Sequence, residues 1–468
     1  MGFVVACAAG VALSAAVATG GDIPNTRWAI FVRLAVWTAA WAVAVVCAFR
    51  LPARVVLPGM LLAALALRLA AVAGPPVLSD DLFRYSWDGR VQVAGFNPYE
   101  HAPDAPELER LREPWLWPDD AGCDELGRPP GCTRINRASV RTIYPPLTQA
   151  YFSAVYRIAG IDAQYKTWQV SGLVVDMALV ALLPLVLQAW GRDRRWAVLY
   201  ALAPFPVVEN VNNGHVDGLA ALFLVLALLA ASRRRPAWAG ALIGAAALVK
   251  LYPALLVVAL VGIGAAVGIG VAAGVGTAAG TARRWSALIR GTAAAAAVVA
   301  AGYLPHVVSV GAKVLGYLPG YLREEKYDGG GRYLLAGILG LPSGPTTALA
   351  AAGLLAVTGW VLVRRPDVPR GAAALLGGLL LATTPVQPWY GVPLLALAAA
   401  AALPGWSLVA AASYPYFFAV ILDARHTVTI GRVSYGLAFL AVVAGAARRR
   451  ARPPDRVPDV PSPGGARQ

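Results

Sequence analysis

The chain has 468 residues, of which 58% are hydrophobic and only 14% are charged, against about 25% charged in an average soluble domain. Apolar runs of near-spanning length recur along almost the whole sequence. They exclude an ordinary soluble enzyme, a disordered protein, a single-anchor receptor and an outer-membrane barrel. The formal net charge is +15, and the basic residues cluster between the apolar runs, as expected of cytoplasmic loops. The sequence therefore predicts an all-α, polytopic membrane protein.

The predicted spans begin close to the first residue. We interpret the run 3–19 as a spanning helix rather than a cleaved signal peptide, because no basic region precedes it. Two more spans are predicted at 28–49 and 56–73, and Arg50 and Arg54 between them place that connection on the cytoplasmic side. The later spans are predicted at 167–190, 195–209, 216–231, 237–250, 253–275, 287–304, 344–363, 371–384, 391–403, 407–422 and 430–446.

Counting these spans predicts roughly thirteen to fifteen helices. The stretch 145–159 is shorter and amphipathic, and we interpret it as a partial or re-entrant helix, because a full span there would break the charge bias of every later loop. The predicted organisation is a transmembrane domain over 1–446, followed by a disordered cytoplasmic tail over 447–468.

Two loops are predicted on the extracytoplasmic side, opposite the basic clusters. The first, 75–142, contains 12 of the 25 acidic residues, and the second is 305–343. A loop as long as the first is usually functional. Cys123 and Cys132 lie within it, and the glycines and prolines between them favour a turn. On the oxidising side of a membrane we expect these two cysteines to form a disulfide, and the alternative is two free thiols.

The strongest candidate for chemistry is the pair Asp80 and Asp81, which follows the third predicted span. Two adjacent carboxylates at a membrane boundary are costly unless they are paired or solvated. A carboxylate here would suit a general base acting on a hydroxyl. The alternative is a helix start, in which Ser79 caps the helix and both acids favour its dipole.

A second candidate is Lys250, which lies in a long apolar stretch. A lysine at that position is expensive, and an anionic partner such as a lipid phosphate would explain it. The alternative is that the side chain only extends towards the membrane surface.

Three further polar segments are candidates, each with a structural alternative. Residues 212–218 have the alternative of a polar turn, and 316–332 that of a plain surface loop rather than a mobile lid. Residues 387–390 have the alternative of an interfacial aromatic belt. Metal-binding spacings and a phosphate-binding glycine loop are missing from the sequence, so we predict no cofactor. Asp80 and Asp81 could hold a divalent cation only with the help of water.

Six motifs occur in order along the chain, namely 80–85, 95–99, 142–146 with Gln149, 214–217, 250–253 and 388–390. The sequence resembles the membrane-embedded GT-C glycosyltransferases that use polyprenyl-phosphate sugars. The greatest likeness is to the actinobacterial polyprenyl-phosphomannose-dependent α-mannosyltransferases, including glycosyltransferase family 87 and the α-1,6-mannosyltransferases. Many GT-C enzymes have the catalytic acid after their first helix, whereas here about three helices precede it.

The resemblance implies an inverting transferase that moves a sugar, with mannose expected, from a polyprenyl-phosphate donor to a lipid-linked glycan or glycolipid. It implies that Asp81, with Asp80 beside it, is the catalytic base. Lys250, Arg332 and His215 would supply donors to the leaving phosphate. Substrate contacts are implied for Arg84, Tyr85, Asp88, Asn97, Tyr144, Gln149, Asp217, Tyr252, Gln387, Trp389 and Tyr390.

The expected location is the plasma membrane, with the site on the extracytoplasmic side and no nucleic-acid partner. Two alternatives stay open at this point. One is a GT-C arabinosyltransferase or glucosyltransferase, and the other is a polytopic lipid or sugar transporter, which broken helices and intramembrane charge would also suit.

Overall fold

The computed structural model describes residues 1–21, 23–159, 164–263 and 278–451, and within these ranges it is helical without β-strands. In chain order the α-helices are α1 (Gly2–Thr19), α2 (Ile23–Ala48), α3 (Ala53–Ala71), α4 (Asp81–Val93), α5 (Asp120–Glu125), α6 (Pro146–Ala159), α7 (Tyr165–Ala189), α8 (Val198–Ala201), α9 (Pro204–Pro206), α10 (Asp217–Ser232), α11 (Pro236–Ala247), α12 (Ala278–Val310), α13 (Leu318–Glu324), α14 (Ser343–Arg364), α15 (Val368–Thr383), α16 (Gly391–Ala401), α17 (Gly405–Ala411), α18 (Ser413–Ile421) and α19 (Thr427–Ala451).

Helices of other types connect these elements. The 3₁₀ helices are Pro106–Leu111, Arg194–Ala197, Tyr252–Gly262, Gly311–Leu315, Ala336–Leu339 and Pro388–Tyr390, and a π-helix occupies Val207–Asn212.

Seven helices in the described ranges are long and apolar enough to cross a membrane, which makes the protein a multi-pass membrane protein. A bent pair of helices, if counted as one span, raises the number to eight. Five more apolar helices are shorter than a usual span. The sequence-based number of thirteen to fifteen counted such short segments as spans. The stretch 264–275 of one predicted span and 452–468 of the predicted tail lie outside the described residues, and α19 extends beyond the predicted boundary at 446.

The prediction of a continuous span over 195–209 is wrong. A 3₁₀ turn, two very short helices and the π-helix occupy this region, and the segments Pro204–Asn212 and Asp217–Ser232 meet at an angle of 118°. Pro204 and Pro206 cannot donate backbone hydrogen bonds, and proline disrupts a regular helix. A glycine in α7 allows close packing here, because a Cβ atom on Gly172 would lie 2.0 Å from the carbonyl oxygen of Asn210. The break leaves polar side chains just before the first residue of α10.

Helices α4 and α6 pack together beside this break. The ring of Tyr85 in α4 stacks on Phe152 in α6, with 4.5 Å between ring centroids. Gly89 permits the contact, because a Cβ atom there would lie 2.6 Å from the Phe152 carbonyl oxygen. The segment predicted as a partial helix, 145–159, is thus α6, which has 14 residues and does not qualify as a span.

A buried ion pair lies among the spanning helices. Arg68 of α3 and Asp176 of α7 are both fully buried, and their side chains approach to 2.5 Å. Asn210 donates to the second carboxylate oxygen of Asp176 at 2.7 Å, and the Tyr200 hydroxyl also donates to it. The Arg68 guanidinium also donates to the carbonyl oxygen of Ala201 at 2.9 Å. The cluster joins α3, α7 and the broken region.

Candidate active site

The segment before α4 is held on the broken span by two asparagines. The side-chain oxygen of Asn213 accepts from the backbone N–H of Val77 at 3.1 Å and of Leu78 at 3.0 Å. Asn212 accepts from Val77 at 3.0 Å. Because buried backbone N–H groups need partners, these bonds fix where α4 begins. The first residue of α4 is Asp81.

Asp81 has polar contacts on both carboxylate oxygens. Asn136 donates to one oxygen at 2.7 Å, and the hydroxyl of Tyr144 donates to the other at 3.3 Å. The imidazole Nε2 of His215 lies 3.7 Å from that second oxygen. The Asp81 side chain is 17% exposed, so it is oriented by neighbours and still open to a reactant. The backbone N–H of Asp81 donates to Ser79 Oγ at 3.2 Å, so the helix-start interpretation also holds locally.

Asp80 is the more exposed member of the pair. The same Asn136 nitrogen donates to its carboxylate at 2.8 Å, and Arg128 lies 3.9 Å away. Partial burial of its carboxylate and the neighbouring charge of Asp81 raise the pKa of Asp80 above its usual value. The two carboxylates therefore differ, because Asp81 faces Tyr144 whereas Asp80 faces Arg128.

A buried histidine and glutamate lie behind Asp81. His215 Nδ1 is 3.1 Å from Glu209 Oε2, and Nε2 is 3.0 Å from Ser79 Oγ. Glu209 also accepts from the Tyr414 hydroxyl at 2.5 Å. Glu209 lies in the π-helix. It is not among the residues predicted from the sequence, because it falls at the end of a predicted span. These contacts hold the imidazole beside Asp81, and its ring packs on Trp389 with 4.1 Å between centroids.

Asp81 opens on a cavity of about 690 Å³. The first loop, the segment before α6, the second loop and α15 all contribute to its wall. Its lining is largely aromatic and aliphatic, with a few charged groups. The polar and aromatic residues of the wall are Asp81, Arg84, Asn136, Arg137, Arg141, Tyr144, Lys250, Tyr252, Tyr317, Tyr321, Tyr327, Asp328, Tyr333, Thr383, Gln387, Trp389 and Tyr390.

Lys250 occupies an aromatic and acidic setting in this wall. Its ammonium lies 3.3 Å from Asp217 Oδ2, and the Tyr252 hydroxyl donates to the other Asp217 oxygen at 3.1 Å. The ammonium also faces the rings of Tyr144 and Tyr390, at 5.4 and 5.5 Å from their centroids. Cation–π contacts and the carboxylate explain why a lysine is tolerated at this depth.

Two arginines of the cavity wall are also paired with acids. Arg84 donates to Asp88 at 2.8 Å, and Arg137 forms an ion pair with Glu324 of α13. The side-chain amide of Gln149 donates to the other carboxylate oxygen of Asp88 at 3.0 Å.

Arg141 is different, because in the described parts of the chain it has no carboxylate or hydrogen-bond partner. It is partly exposed.

The second loop closes one side of the cavity. The hydroxyls of Tyr321 and Tyr390 are 2.9 Å apart. Gly316 sits against the segment before α6 with φ +52°, and a Cβ atom there would lie 1.6 Å from the Thr142 carbonyl oxygen. Only glycine fits at this point. The structure therefore joins the two predicted loops at the cavity, as the Arg137–Glu324 ion pair also does.

Arg332, predicted to contact the donor phosphate, does not belong to the cavity wall. Its guanidinium pairs with Glu325 and donates to the Tyr416 hydroxyl at 3.2 Å. Gln387 donates to the other Glu325 oxygen at 2.6 Å. His215 is also outside the wall, because its side chain is fully buried behind Asp81.

The other predicted substrate contacts divide into two groups. The cavity wall includes Arg84, Tyr144, Tyr252, Gln387, Trp389 and Tyr390. The residues that do not line the wall but contact wall residues, directly or through Asp88, are Tyr85, Asp88, Gln149 and Asp217. Asn97 belongs to neither group, since its side chain accepts from the backbone N–H of Tyr99 at 3.0 Å in a local turn. Asparagine commonly stabilises turns in this way.

A disulfide bond joins Cys123 and Cys132, with 5.8 Å between their Cα atoms. It closes a short ring in the first loop, and that ring contains Arg128. The Arg128 guanidinium reaches Asp80 at 3.9 Å. The disulfide thus restrains a cation that approaches the acidic pair.

The cavity wall contains the carboxylates of Asp81 and Asp328, with cations in the same wall. The Asp81 carboxylate is the one oriented by Asn136 and Tyr144, and it is available for proton transfer. Among the described residues, no group of three or more His, Cys, Asp or Glu side chains is arranged to hold a metal ion. A carboxylate within hydrogen-bonding distance of a bound hydroxyl is the geometry required of a general base.

Part of the chain matches a known protein family. The model for glycosyltransferase family 87 matches residues 143–385, which are just over half of the chain. The match includes Tyr144, His215 and Lys250 but begins after the acidic pair, so the role of Asp81 rests on geometry. No curated protein matches the chain significantly. Because the match covers just over half of the chain, the chain belongs to glycosyltransferase family 87.

Proposed function

We propose that this glycosyltransferase is inverting and uses a polyprenyl-phosphate sugar, with mannose as the sugar, and that Asp81 is its catalytic base. The acceptor is a lipid-linked glycan or glycolipid, and the reaction takes place on the extracytoplasmic side of the plasma membrane. The observation that carries the proposal is the position of Asp81 in the wall of a cavity whose other polar groups include arginines and a lysine.

In the proposed reaction an acceptor hydroxyl oxygen attacks the anomeric carbon of the donor. The bond from that carbon to the phosphate oxygen breaks, and the phosphate leaves with the electron pair. Asp81 takes the proton of the hydroxyl. Its contacts with Asn136 and Tyr144 fix the carboxylate, so that little reorganisation is needed during the transfer.

Cations in the same cavity support a phosphate leaving group. Negative charge grows on the phosphate as the bond breaks, and preorganised cationic donors lower the barrier in a site that excludes water. Lys250 is proposed to donate hydrogen bonds to the phosphate, although Asp217 already compensates part of its charge. In the proposal His215 acts by holding Asp81, and Arg332 acts by ordering the second loop through Glu325.

The lining of the cavity supports a lipid-linked donor. Aliphatic residues of α13 and α15 share the wall with Asp81, among them Leu318, Leu322, Leu379 and Leu380. An isoprenoid chain needs such a surface near the reacting phosphate, because burying apolar area is the main favourable contribution to its binding.

The test uses purified full-length enzyme and radiolabelled polyprenyl-phosphomannose with a membrane lipid extract as acceptor. The proposal predicts transfer of label to a glycolipid, without added nucleotide sugar. The corresponding arabinose and glucose donors are the matched controls. Transfer from one of them with no transfer of mannose would contradict the choice of sugar, and transfer from a nucleotide sugar alone would contradict the donor class.

A further inference from the structure

The cations in the wall of the cavity differ in how they are compensated. Lys250 has Asp217 at 3.3 Å, Arg84 has Asp88 at 2.8 Å, and Arg137 has Glu324.

Arg141 belongs to the same wall and has no such acid within the described ranges. The one positive charge in this wall without an acidic partner is therefore on Arg141, counting described residues only.

An unpaired guanidinium in a partly enclosed, mostly apolar cavity is unfavourable, because it loses water and gains no counterion. The energetic balance changes when an anion enters. A guanidinium presents parallel N–H donors that match two phosphate oxygens, whereas a lysine ammonium acts as a point charge. Arg141 thus has the chemistry needed to bind a phosphate group through two of its oxygens.

The position of Arg141 suits this role. It precedes Tyr144 by three residues, a separation that spans at most about 10 Å of extended chain. The hydroxyl of Tyr144 donates to Asp81 at 3.3 Å. Arg141 and Asp81 also line the same cavity, so a sugar phosphate bound by Arg141 would lie in the space that the Asp81 carboxylate faces.

We infer that Arg141 binds the phosphate of the lipid-linked donor and is the residue of this cavity that selects a charged lipid over its neutral alcohol. The inference rests on the proposed function, since it assigns the phosphate of that donor to one side chain. Lys250 then has a lesser part, because its charge is already shared with Asp217.

The test measures binding to the full-length protein in lipid nanodiscs. The probes are undecaprenyl phosphate, undecaprenol, which lacks the phosphate, and inorganic phosphate, which lacks the lipid. The variants are Arg141→Gln and Arg141→Lys. The matched control is Arg134→Gln, which removes one positive charge from the same loop but from a side chain that lies over the Phe83 ring outside the cavity.

We expect Arg141→Gln to weaken binding of undecaprenyl phosphate by about 10- to 100-fold, the range for loss of a charged hydrogen bond, and to leave undecaprenol binding unchanged. Arg141→Lys should retain part of the preference for the charged lipid, and Arg134→Gln should match the wild type. Unchanged undecaprenol binding also shows that the variant is folded.

Two results would overturn the inference. One is wild-type discrimination between the two lipids that persists in Arg141→Gln. The other is an Arg141-dependent affinity for inorganic phosphate as strong as that for the charged lipid, which would indicate a site for free phosphate. A wild-type protein that binds both lipids equally would instead contradict the lipid-phosphate donor of the proposed function. The two failures are therefore distinguishable.

Discussion

The molecule contains two clusters of charge among apolar helices, and they differ in what the charged groups face. In the cluster of Arg68 and Asp176 the ions face each other at 2.5 Å with no exposure, and Tyr200 and Asn210 complete the carboxylate's contacts. In the cluster around Asp81 the carboxylate keeps 17% exposure and lines a cavity.

The difference shows why intramembrane charge by itself does not indicate a reaction. A buried pair whose partners satisfy each other joins helices and leaves no room for a ligand. A carboxylate that is oriented by neighbours and still faces space is able to exchange a proton with a substrate. Removing charge from each cluster in turn tests this distinction.

The largest expected effect is on transfer by Asp81→Asn. A general base contributes about 10²- to 10⁴-fold to the rate, and asparagine keeps the size and one acceptor oxygen of the side chain. We expect kcat to fall by that factor while donor binding is retained. Asp80→Asn is the matched control, since it removes the same charge one residue earlier. Near-normal turnover of Asp81→Asn with loss in Asp80→Asn would assign the base to Asp80.

The next largest effect is expected on stability from Asp176→Asn. Removing one partner of a buried ion pair costs about 3–5 kcal/mol, because the remaining charge is left buried and uncompensated. The free energy of unfolding in detergent should fall by that amount. The control is Asp193→Asn, which removes an acid from a more exposed pair with Arg195 and should cost about 0–1 kcal/mol. Equal losses for both variants would contradict the distinction between the clusters.

A smaller effect is expected from opening the disulfide with Cys132→Ser. Closing so short a ring stabilises the folded loop by roughly 2–3 kcal/mol in the chain-entropy description. Hydrogen exchange should therefore increase in the first loop and stay unchanged in α7. The control is Cys47→Ser, since Cys47 is a free thiol. If alkylation labels both Cys123 and Cys132 in unreduced protein, either the disulfide is absent or the loop lies on the cytoplasmic side.

Lys250→Met should have a more modest effect on donor affinity, of about tenfold, the lower end for loss of a charged hydrogen bond. Asp217 already compensates this charge, so less of it is available to a ligand. The variant also leaves the buried Asp217 carboxylate without its cation. The double variant Lys250→Met with Asp217→Asn should therefore restore stability without restoring affinity for the donor. Donor binding at the wild-type level in both variants would indicate that Lys250 only extends towards the membrane surface.

The smallest effect concerns pH and Asp80. Because its pKa is raised by burial and by the charge of Asp81, the folded protein holds this proton more tightly than the unfolded chain does. The ionised carboxylate therefore destabilises the fold above the raised pKa, and the penalty disappears as the pH falls towards the usual value of about 3.9. Asp80→Asn should raise Tm slightly at pH 7, and the difference should shrink on acidification. A difference that grows on acidification would contradict the raised pKa.

The sequence was sufficient to predict the helical membrane fold, and several of the predicted candidate segments contribute to the cavity. Asp81, Tyr144 and Lys250 lie in segments far apart in sequence, and the resemblance to one family grouped them. The structure brings all three to one cavity. Spans over α3, α7 and α14 are predicted to within a few residues, because long apolar runs identify spanning helices by length alone.

The remaining features depend on tertiary contacts that have no local signal. Asn136, Arg137 and Arg141 lie in an irregular loop without periodicity, so the sequence does not distinguish the residues that face the cavity. The predicted number of helices exceeds the seven or eight described helices that have the length and composition of a span, because the short helices are also apolar enough to resemble spans. Glu209 was missed because a continuous helix was predicted through Pro204, although that proline and the next one were visible signs of a break.

The central claim is that Asp81 deprotonates the acceptor in a single displacement at the anomeric carbon. The most direct measurement is the anomeric configuration of the product that the full-length enzyme makes from a β-linked polyprenyl-phosphomannose, determined by NMR. A single displacement predicts an α-linked product from the wild type, and from Asp81→Asn the same product at a rate lower by about 10²- to 10⁴-fold. A β-linked product, or an α-linked product formed at the wild-type rate by Asp81→Asn, would contradict it.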